Sequence, residues 1–283
     1  ESNGGDSLGK WDDSYFKEIG LEDLVEEKYD RIGTDIKPVG QRVAGGLSSQ
    51  AAEQMGLAPS TPVSVGIIDA HAGGLGLLGM NANNEQENEY IDLESRIALI
   101  GGTSSCHMAV SQEPKFIDGV WGPYYSAMVP DMWLTEGGQS ATGALIDHVI
   151  NSSKQSVKLE EKAEEQNTTV YDILNNRIYE LAEENHVSDV GELTADLHVL
   201  PYFHGNRSPR ANPSLLGSIC GLKLSSTIDD LALLYLSTIQ AIAYGTRHII
   251  ESLNNSGYAI NKIMATGGGT KNELFLKEHA DIC

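Results

Sequence analysis

The sequence predicts an α/β fold with a mixed or parallel sheet. Short apolar runs of strand length, at residues 63–68, 97–100 and 262–265, alternate with longer segments in which apolar residues recur every three or four positions. Glycine-rich turns follow several of these runs. Strands that alternate with helices in this way are typical of α/β proteins.

The first part of the chain is predicted to hold two helices before its first strand. Residues 11–31 and 50–55 have helical spacing of their apolar side chains. Ser48 or Ser49 is suited to cap the second helix, and Gly56 can end it. The elements expected next are a strand at 63–68, a helix with Asp69 as its N-cap, a polar boundary loop at 81–88, a linker strand at 90–93, and strands at 97–100 and 106–111 around a tight turn.

The second part of the chain is predicted to be mainly helical. A small-residue segment at 136–143 opens a helix at 144–150, and the charged residues 152–167 are either a solvated helix or an insertion. The longest helix is expected at 228–253, where apolar residues form a stripe. The other elements expected are a helix at 170–184, a strand at 197–203, a proline-flanked loop at 206–213, a strand at 262–265, a glycine turn at 267–269 and a helix from Asn272 onward.

Charge limits the partners that this surface can attract. The 283 residues carry a formal net charge of −21, and the sequence pI is ≈ 4.6. Such a surface repels nucleic acid and anionic membranes, so neither is expected as a partner. It also repels nucleotides, so any phosphate site must rely on backbone N–H groups, helix N-termini and a divalent cation.

Cysteine content indicates a reducing compartment. Cys106, Cys220 and Cys283 are too few and too far apart for a disulfide framework, and no C-x-x-C pair indicates zinc. A cytoplasmic protein is therefore expected, and no apolar run is long enough to span a bilayer. The first residue is not methionine and residues 275–283 read as a helix cut in mid-course, so an internal piece of a longer protein is expected.

Asp69 is the first candidate for chemistry, because a carboxylate follows an apolar run directly and small residues come after it. One interpretation is a general base that takes the proton of a sugar hydroxyl as its oxygen attacks a γ-phosphate. The other is a plain N-cap that satisfies the first N–H groups of the helix. His71 could join Asp69 as a metal pair, although two residues across this turn are poor chelators without a third ligand.

Two glycine-rich turns are candidates for phosphate binding. The turn at 102–105 lies between two predicted strands, where it is either a phosphate-binding turn or an ordinary hairpin. The turn at 267–269 lies between a strand and a helix, where its glycines permit either close approach of a nucleotide or only a positive φ. The segment Asn206-Arg207-Ser208-Pro209-Arg210 could hold a phosphate or a sugar hydroxyl, or it is a solvated loop with a structural arginine.

Five motifs, taken in order, resemble the FGGY family of carbohydrate kinases, and within it the ribulokinase-like, D-ribulose type. The resemblance covers nearly the whole chain, from Lys10 to Ile282. The motifs are Gly66-Ile67-Ile68-Asp69-Ala70-His71-Ala72-Gly73-Gly74-Leu75-Gly76, Gly102-Thr103-Ser104-Ser105-Cys106-His107-Met108, Glu136-Gly137-Gly138-Gln139-Ser140-Ala141-Thr142-Gly143, Phe203-His204-Gly205-Asn206-Arg207-Ser208-Pro209, and Thr266-Gly267-Gly268-Gly269-Thr270-Lys271-Asn272.

This resemblance implies an actin-like ATPase fold, in which two domains with RNase H-like α/β cores close on a cleft. It implies the carboxy-terminal part of the first, sugar-binding domain at residues 1–92 and most of the second, nucleotide-binding domain at residues 93–283. The early Asp-x-Gly-Thr-type turn, which family members use for phosphate and Mg²⁺, is not in this sequence. No Mg²⁺ ligand is therefore predicted within it.

The resemblance also implies a role for each candidate residue. Asp69 matches the catalytic base, and with Ala70 and His71 it would contact the sugar. The residues that match the nucleotide-binding positions of the family are Gly102, Thr103, Ser104, Gly143, Asp147, Gly268, Gly269 and Asn272.

The activity implied is phosphorylation of a ketopentose, D-ribulose above all, at its terminal hydroxyl, with ATP and Mg²⁺, to give the 5-phosphate. We expect the present chain to be inactive by itself, because much of the cleft lies outside it, and a homodimer is an open alternative to a monomer. Three other functions stay open. These are another FGGY sugar kinase that acts on xylulose, L-ribulose or a polyol, a non-catalytic actin-like nucleotide-binding module, and a metal-dependent hydrolase that uses Asp69 and His71.

Overall fold

The computed structural model describes residues 10–80 and 92–283, which form two compact units. The first unit consists of residues 10–68 and 126–130, and the second consists of residues 69–80, 92–125 and 131–283. The predicted boundary loop at 81–88 lies outside the described residues. Most of the predicted linker strand at 90–93 does so too, and its last residue begins a 3-10 turn. The predicted domain boundary after residue 92 stays a prediction.

Three short helices belong to the first unit: α1 (Asp13–Glu18), α2 (Glu22–Glu26) and α3 (Ser49–Met55). The single helix predicted at 11–31 is wrong, because Gly20 adopts a left-handed backbone (φ 78°) that separates α1 from α2. The prediction for α3 is confirmed. The Ser48 hydroxyl accepts a hydrogen bond from Ala51 N (3.2 Å), and Gly56 ends the helix with φ 66°.

The predicted strand at 63–68 is wrong. Its first half is extended and pairs with residues 40–43 through a single β-bridge, with a hydrogen bond from Val43 N to Val63 O (2.8 Å). One bridge does not make a ladder, and Ile68 is 61% exposed, so the apolar run has no continuous buried face. The segment is an extended approach to the next helix rather than a sheet strand.

A mixed sheet of five strands forms the centre of the second unit, and the predicted sheet type is confirmed. Its strands are β1 (Arg96–Gly101), β2 (Ser105–Ser111), β3 (Trp121–Tyr125), β4 (Trp133–Gln139) and β7 (Lys262–Thr266), in the spatial order β3-β4-β2-β1-β7. β1 pairs in parallel with β7, whereas the other neighbours pair antiparallel. A separate two-stranded sheet joins β5 (His198–Leu200) to β6 (Ser218–Cys220).

The strand predictions need three corrections. The segment at 136–143 does more than open a helix, because β4 continues to Gln139 and its glycines pair with β2. β5 is shorter than predicted, since Pro201 has no N–H group to extend the ladder. The sequence does not predict β3, in which Gly122 and Pro123 interrupt the alternation. This is an edge strand with a register shift, where proline is tolerated.

Six α-helices complete the described part of the second unit: α4 (Asp69–Leu78), α5 (Gly143–Asn151), α6 (Ser156–Gln166), α7 (Val170–Glu184), α8 (Ile228–Asn255) and α9 (Glu273–Ile282). Capping boxes begin both α7 and α8. Residues of α5, α7, α8 and α9 share one apolar core. α6 buries only Leu159 and Ala163, so the charged segment contains a largely solvated helix. No described helix combines the length and the apolar composition that crossing a bilayer requires.

Candidate functional site

A cavity of ≈ 490 Å³ opens at the carboxyl ends of β1 and β7. Parallel strands end at the same edge of a sheet, and ligands of open α/β folds bind at that edge. The volume lies within the usual range for small-molecule sites. The lining residues come from the two glycine turns and from α5, α7 and α9: Gly101, Gly102, Thr103, Thr142, Gly143, Ile146, Asp147, Thr169, Tyr171, Asp172, Asn175, Gly268, Gly269, Lys271, Asn272 and Phe275.

The two glycine turns lie against each other at this edge. Gly267 adopts φ 97°, and a Cβ added to it would lie 2.2 Å from Gly101 O. No other residue fits there unless one of the two strands moves. For Gly268, the next residue, no atom lies within 4 Å of the position of an added Cβ. The fold therefore requires the first glycine, whereas the second leaves open space beside the cavity.

The turn at Thr103 is held against the start of α5. Gly143 N and Ala144 N donate hydrogen bonds to the carbonyl groups of residues 102 and 103, at 3.0 and 3.2 Å. The first N–H groups of α5 are thus satisfied within the protein. In the part of the chain that the structure describes, the backbone N–H groups of Thr103 and Ser104 have no acceptor. These two groups are suited to bind an anion.

Another wall of the cavity comes from α5 and α7. The Tyr171 hydroxyl donates to Asp147 Oδ1 and so joins the two helices. Burial and the neighbouring Asp147 carboxylate raise the pKa of Tyr171 to about 12, so its hydroxyl keeps its proton at neutral pH. Hydrogen bonds from Thr169 (2.6 Å) and Thr168 (3.0 Å) hold the pKa of Asp172 below its usual value.

Asn272 connects the second glycine turn to α9. Its Oδ1 atom accepts hydrogen bonds from Leu274 N (3.1 Å) and Phe275 N (3.3 Å), which makes it the N-cap of the helix. The helix therefore begins one residue later than predicted. Because the carbonyl oxygen is used by the cap, Asn272 can offer a ligand only an amide N–H group.

Asp69 is the first residue of α4, one position inside the helix from the predicted N-cap. α4 runs antiparallel to β1. A Cβ at Gly73 would touch Ile100 Cδ1 (3.3 Å) near the end of the strand. At the start of the strand, Leu78 O accepts a hydrogen bond from Arg96 Nη1 (3.1 Å). Asp69 precedes Gly73 by about one helical turn, ~6 Å, so its exposed carboxylate lies toward the same sheet edge as the glycine turns.

His71 is buried beside a carboxylate of the sheet. Its Nε2 atom lies 3.5 Å from Glu136 Oε2, and Glu136 Oε1 accepts a hydrogen bond from Arg207 Nη2 (2.7 Å). The suggested metal pair of Asp69 and His71 belongs to no group of three metal-ligating side chains among residues 10–80 and 92–283. The geometry therefore gives His71 a carboxylate partner.

Arg207 makes contacts that a structural arginine would make, which was one of the two interpretations of its loop. Its guanidinium carbon lies 4.1 Å from the centre of the Trp121 ring, and its side chain is only 19% exposed. The loop is thus not solvated at this residue. Sequence analysis missed the pairing with Glu136, because the two residues are 71 positions apart and no local pattern links them.

Seven of the eight predicted nucleotide-binding residues line the cavity: Gly102, Thr103, Gly143, Asp147, Gly268, Gly269 and Asn272. Ser104 does not line it, and neither do Asp69, Ala70 and His71, which all lie on α4. Sequence analysis did not find the lining residue Asn175, which belongs to a helix with no other signal of function. The binding roles of all these residues stay predictions.

The profile of the FGGY family of carbohydrate kinases, C-terminal domain, matches residues 97–283. The chain belongs to the FGGY family. An FGGY carbohydrate kinase domain-containing protein of Xenopus laevis is 50% identical over 273 residues, which cover 96% of this chain and 49% of that protein. A D-ribulokinase of Saccharomyces cerevisiae is 35% identical over 291 residues, which cover 98% of this chain and 41% of that enzyme.

This FGGY chain spans about half the length of the curated relatives that it matches. The structure of a Plasmodium falciparum glycerol kinase with ADP matches it with a TM-score of 0.64 and 16% identity, over 96% of this chain and 46% of that one. At such low identity the likeness concerns the fold alone. The mixed α/β architecture is thus that of the FGGY sugar kinases, the actin-like fold that the sequence resemblance implied.

Proposed function

We propose that the protein containing this chain transfers the γ-phosphoryl group of ATP to the terminal hydroxyl of a ketopentose, D-ribulose above all, to give the 5-phosphate. The proposal rests on one edge of the five-stranded sheet. The cavity of ≈ 490 Å³ opens there, at the carboxyl ends of β1 and β7, and α4 brings Asp69 toward the same edge. Support for the sugar comes from the 35% identity to a yeast D-ribulokinase, and support for the nucleotide comes from the glycerol kinase structure with ADP.

The cavity would hold the nucleotide, with its phosphates at the glycine turns. The free N–H groups of Thr103 and Ser104 would bind phosphate oxygens, and the open space at Gly268 would let a phosphate approach the backbone. Lys271 is the one basic residue among those that line the cavity. The other predicted contacts are Gly102, Gly143 and Gly269 toward the phosphates, and Asp147 and Asn272 toward the rest of the nucleotide.

Asp69 would act as the general base. Its carboxylate would take the proton of the terminal hydroxyl as that oxygen attacks the γ-phosphorus, while the bond to the β-phosphate oxygen breaks and ADP leaves. The first turn of a helix suits a negative charge, because the helix dipole is positive there. Ala70 and His71 would contact the sugar, and the partnership with Glu136 would hold the His71 ring in place.

Magnesium would arrive with ATP and neutralise charge on its phosphates. We assign none of the described residues as its ligand. Asp147 and Asp172 are the carboxylates of the cavity, and both are held by other hydrogen bonds. The one group of three carboxylates in the described ranges, Asp189, Glu278 and Asp281, does not line the cavity. The family resemblance implies ligands in a turn outside this chain, and no step of the proposed reaction depends on them.

The role of Asp69 can be tested in the full-length protein that contains this chain. Asp69→Asn should lower kcat by about 10²–10⁴-fold, because the amide cannot accept the proton. The Kd for ADP should stay close to that of the wild type. Asp118→Asn, which changes another exposed carboxylate, is the control and should keep the wild-type kcat. An Asp69→Asn enzyme with more than about a tenth of the wild-type kcat would contradict the assignment.

A second candidate is an FGGY kinase that acts on another sugar or on a polyol. An enzyme named for a polyol has the same fold, so the fold by itself does not distinguish a ketopentose from a polyol as the substrate. Comparison of kcat/KM for D-ribulose, L-ribulose, xylulose and glycerol separates these candidates. ATP hydrolysis that no sugar changes would instead indicate a non-catalytic nucleotide-binding module.

A further inference from the structure

We propose that Asn175 selects the adenine base of the nucleotide, and that Tyr235 and Asn272 fix the orientation of its side-chain amide. The inference rests on the proposed nucleotide cavity and goes beyond it by naming the residue that distinguishes one purine from another. Its basis is a closed ring of hydrogen bonds between side chains of α7, α8 and the start of α9.

The ring contains three hydrogen bonds. Asn175 Nδ2 donates to Asn272 Oδ1 (3.1 Å), Asn272 Nδ2 donates to the Tyr235 hydroxyl (2.6 Å), and that hydroxyl donates to Asn175 Oδ1 (3.0 Å). Tyr235 is fully buried, whereas both asparagines are partly exposed and line the cavity. The Tyr235 side chain therefore lies beneath the cavity wall, and the amides of the two asparagines form part of the cavity surface.

The helix cap determines the direction of every bond in the ring. The cap atom of Asn272 must be its oxygen, because two backbone N–H groups of α9 donate to it. Asn175 must then turn its NH₂ group toward that oxygen and its own oxygen toward the Tyr235 proton. A flipped Asn175 amide would set its oxygen against Asn272 Oδ1 and lose that hydrogen bond, although its NH₂ group could still donate to the Tyr235 hydroxyl.

Once the ring is formed, Asn175 keeps one N–H donor and one oxygen lone pair for a ligand. A side-chain amide with both groups free matches an edge of adenine, where the amino group donates and the neighbouring ring nitrogen accepts. Guanine has an acceptor oxygen in place of that amino group, so the oxygen of Asn175 would face another oxygen. The flipped amide would suit the O6 and N1–H edge of guanine. The locked orientation therefore favours adenine.

The test is calorimetric titration of the full-length protein that contains this chain with ADP and with GDP. The wild type should prefer ADP by about 5- to 150-fold, the range that one bidentate contact to a base provides. Asn175→Ala should weaken ADP binding and bring the preference to within about threefold of unity, because the contact is lost. Tyr235→Phe should also lower the preference, since the amide of Asn175 loses the proton donor that orients it.

Tyr179→Phe is the matched control. Tyr179 is an exposed tyrosine of α7, the helix that also carries Asn175, and it does not line the cavity. It should keep the wild-type preference. Thermal unfolding of each variant shows whether it is folded, and Asn175→Ala decides the question if the buried Tyr235→Phe change prevents folding.

Two results overturn the inference while the nucleotide cavity stands: Asn175→Ala with the wild-type preference for ADP, or a wild-type chain that binds ADP and GDP equally. A full-length wild-type protein that binds neither nucleotide overturns the proposed function of the cavity and this inference together.

Discussion

Replacement of Gly267 by alanine should destabilise the second unit by about 4 kcal/mol. Gly267 stands where the end of β7 meets the end of β1, with φ 97° and ψ −174°. That combination of angles is adopted almost only by glycine. A side chain at this position also has no room, because an added Cβ would lie 2.2 Å from Gly101 O and 3.0 Å from Gly101 C. Both obstacles are backbone atoms of a sheet strand, which a rotamer change cannot relieve.

Two costs make up this figure. Holding alanine in the unfavourable backbone region costs about 1–3 kcal/mol. Forcing the two strand ends apart to admit the Cβ costs about 1–3 kcal/mol more, as other overpacked interiors do. Their mid-range sum is about 4 kcal/mol, a large part of the 5–15 kcal/mol that typically stabilises a folded protein.

Gly268→Ala is the matched control. No atom lies within 4 Å of its added Cβ, and its backbone is not left-handed, so folding should tolerate the change. Alanine also restricts the unfolded chain, so the variant should be as stable as the wild type or more stable by up to about 1 kcal/mol. If phosphate approaches the backbone at this point, the same methyl group should weaken ADP binding. The effects of Gly267→Ala and Gly268→Ala would then distinguish a glycine needed for folding from a glycine needed for ligand binding.

Thermal unfolding followed by circular dichroism provides the measurement. A loss of about 4 kcal/mol corresponds to a decrease in Tm of about 8–16 °C for a protein of this size. Gly268→Ala should melt at the wild-type temperature or up to about 4 °C above it. A Gly267→Ala protein that melts with the wild type, or a Gly268→Ala protein that melts as low as Gly267→Ala, would refute the reasoning.

Two further predictions concern buried charge. Burial lowers the pKa of His107 to about 3 and that of His279 to about 4, from 6.5, so the unfolded chain takes up protons below pH 6.5 that the folded chain does not. The free energy of unfolding should therefore fall by up to about 1.4 kcal/mol per pH unit for each histidine as the pH drops from 6.5 toward 4. Urea unfolding should show a shallower pH dependence for His107→Asn, and an unchanged slope would contradict the assignment. Arg207→Met should cost about 3 kcal/mol in the same assay at pH 7, because Glu136 is left with a nearly buried charge, whereas a loss below about 1 kcal/mol would show that water replaces the guanidinium.

Elements whose ends depend on near neighbours were predictable from the sequence. The helix expected at 170–184 has those limits in the structure, because Thr169 and Asp172 form a capping box within one turn. β3 was not predictable, since its pairing with β4 at the edge of the sheet tolerates Gly122 and Pro123. Pairing with β4 makes this segment a strand, and the alternation of its own residues does not reveal that pairing.

The residues of the candidate site were also predictable only where their signal is local in the sequence. The glycine turns can be recognised in the sequence, because each requires only a local backbone freedom. The ring of Asn175, Tyr235 and Asn272 cannot, because its members are 37 to 97 positions apart and meet only when three helices pack. Single asparagines and tyrosines on helices are common, so no pattern marks these three before the fold brings them together.

The acidity of the chain bears on how its cavity could bind a nucleotide. With a net charge of −21, long-range attraction cannot bring a polyanion to the site. Binding must then depend on short-range donors that are already in place, since fixed dipoles need no reorganisation when the ligand arrives. The first N–H groups of α5, an ordinary anion site, are used to hold the turn at 102–103. That arrangement makes the turn rigid and leaves the N–H groups of Thr103 and Ser104 as the fixed donors. Backbone geometry at Gly143 and Gly267 should therefore control nucleotide affinity more strongly than surface charge does.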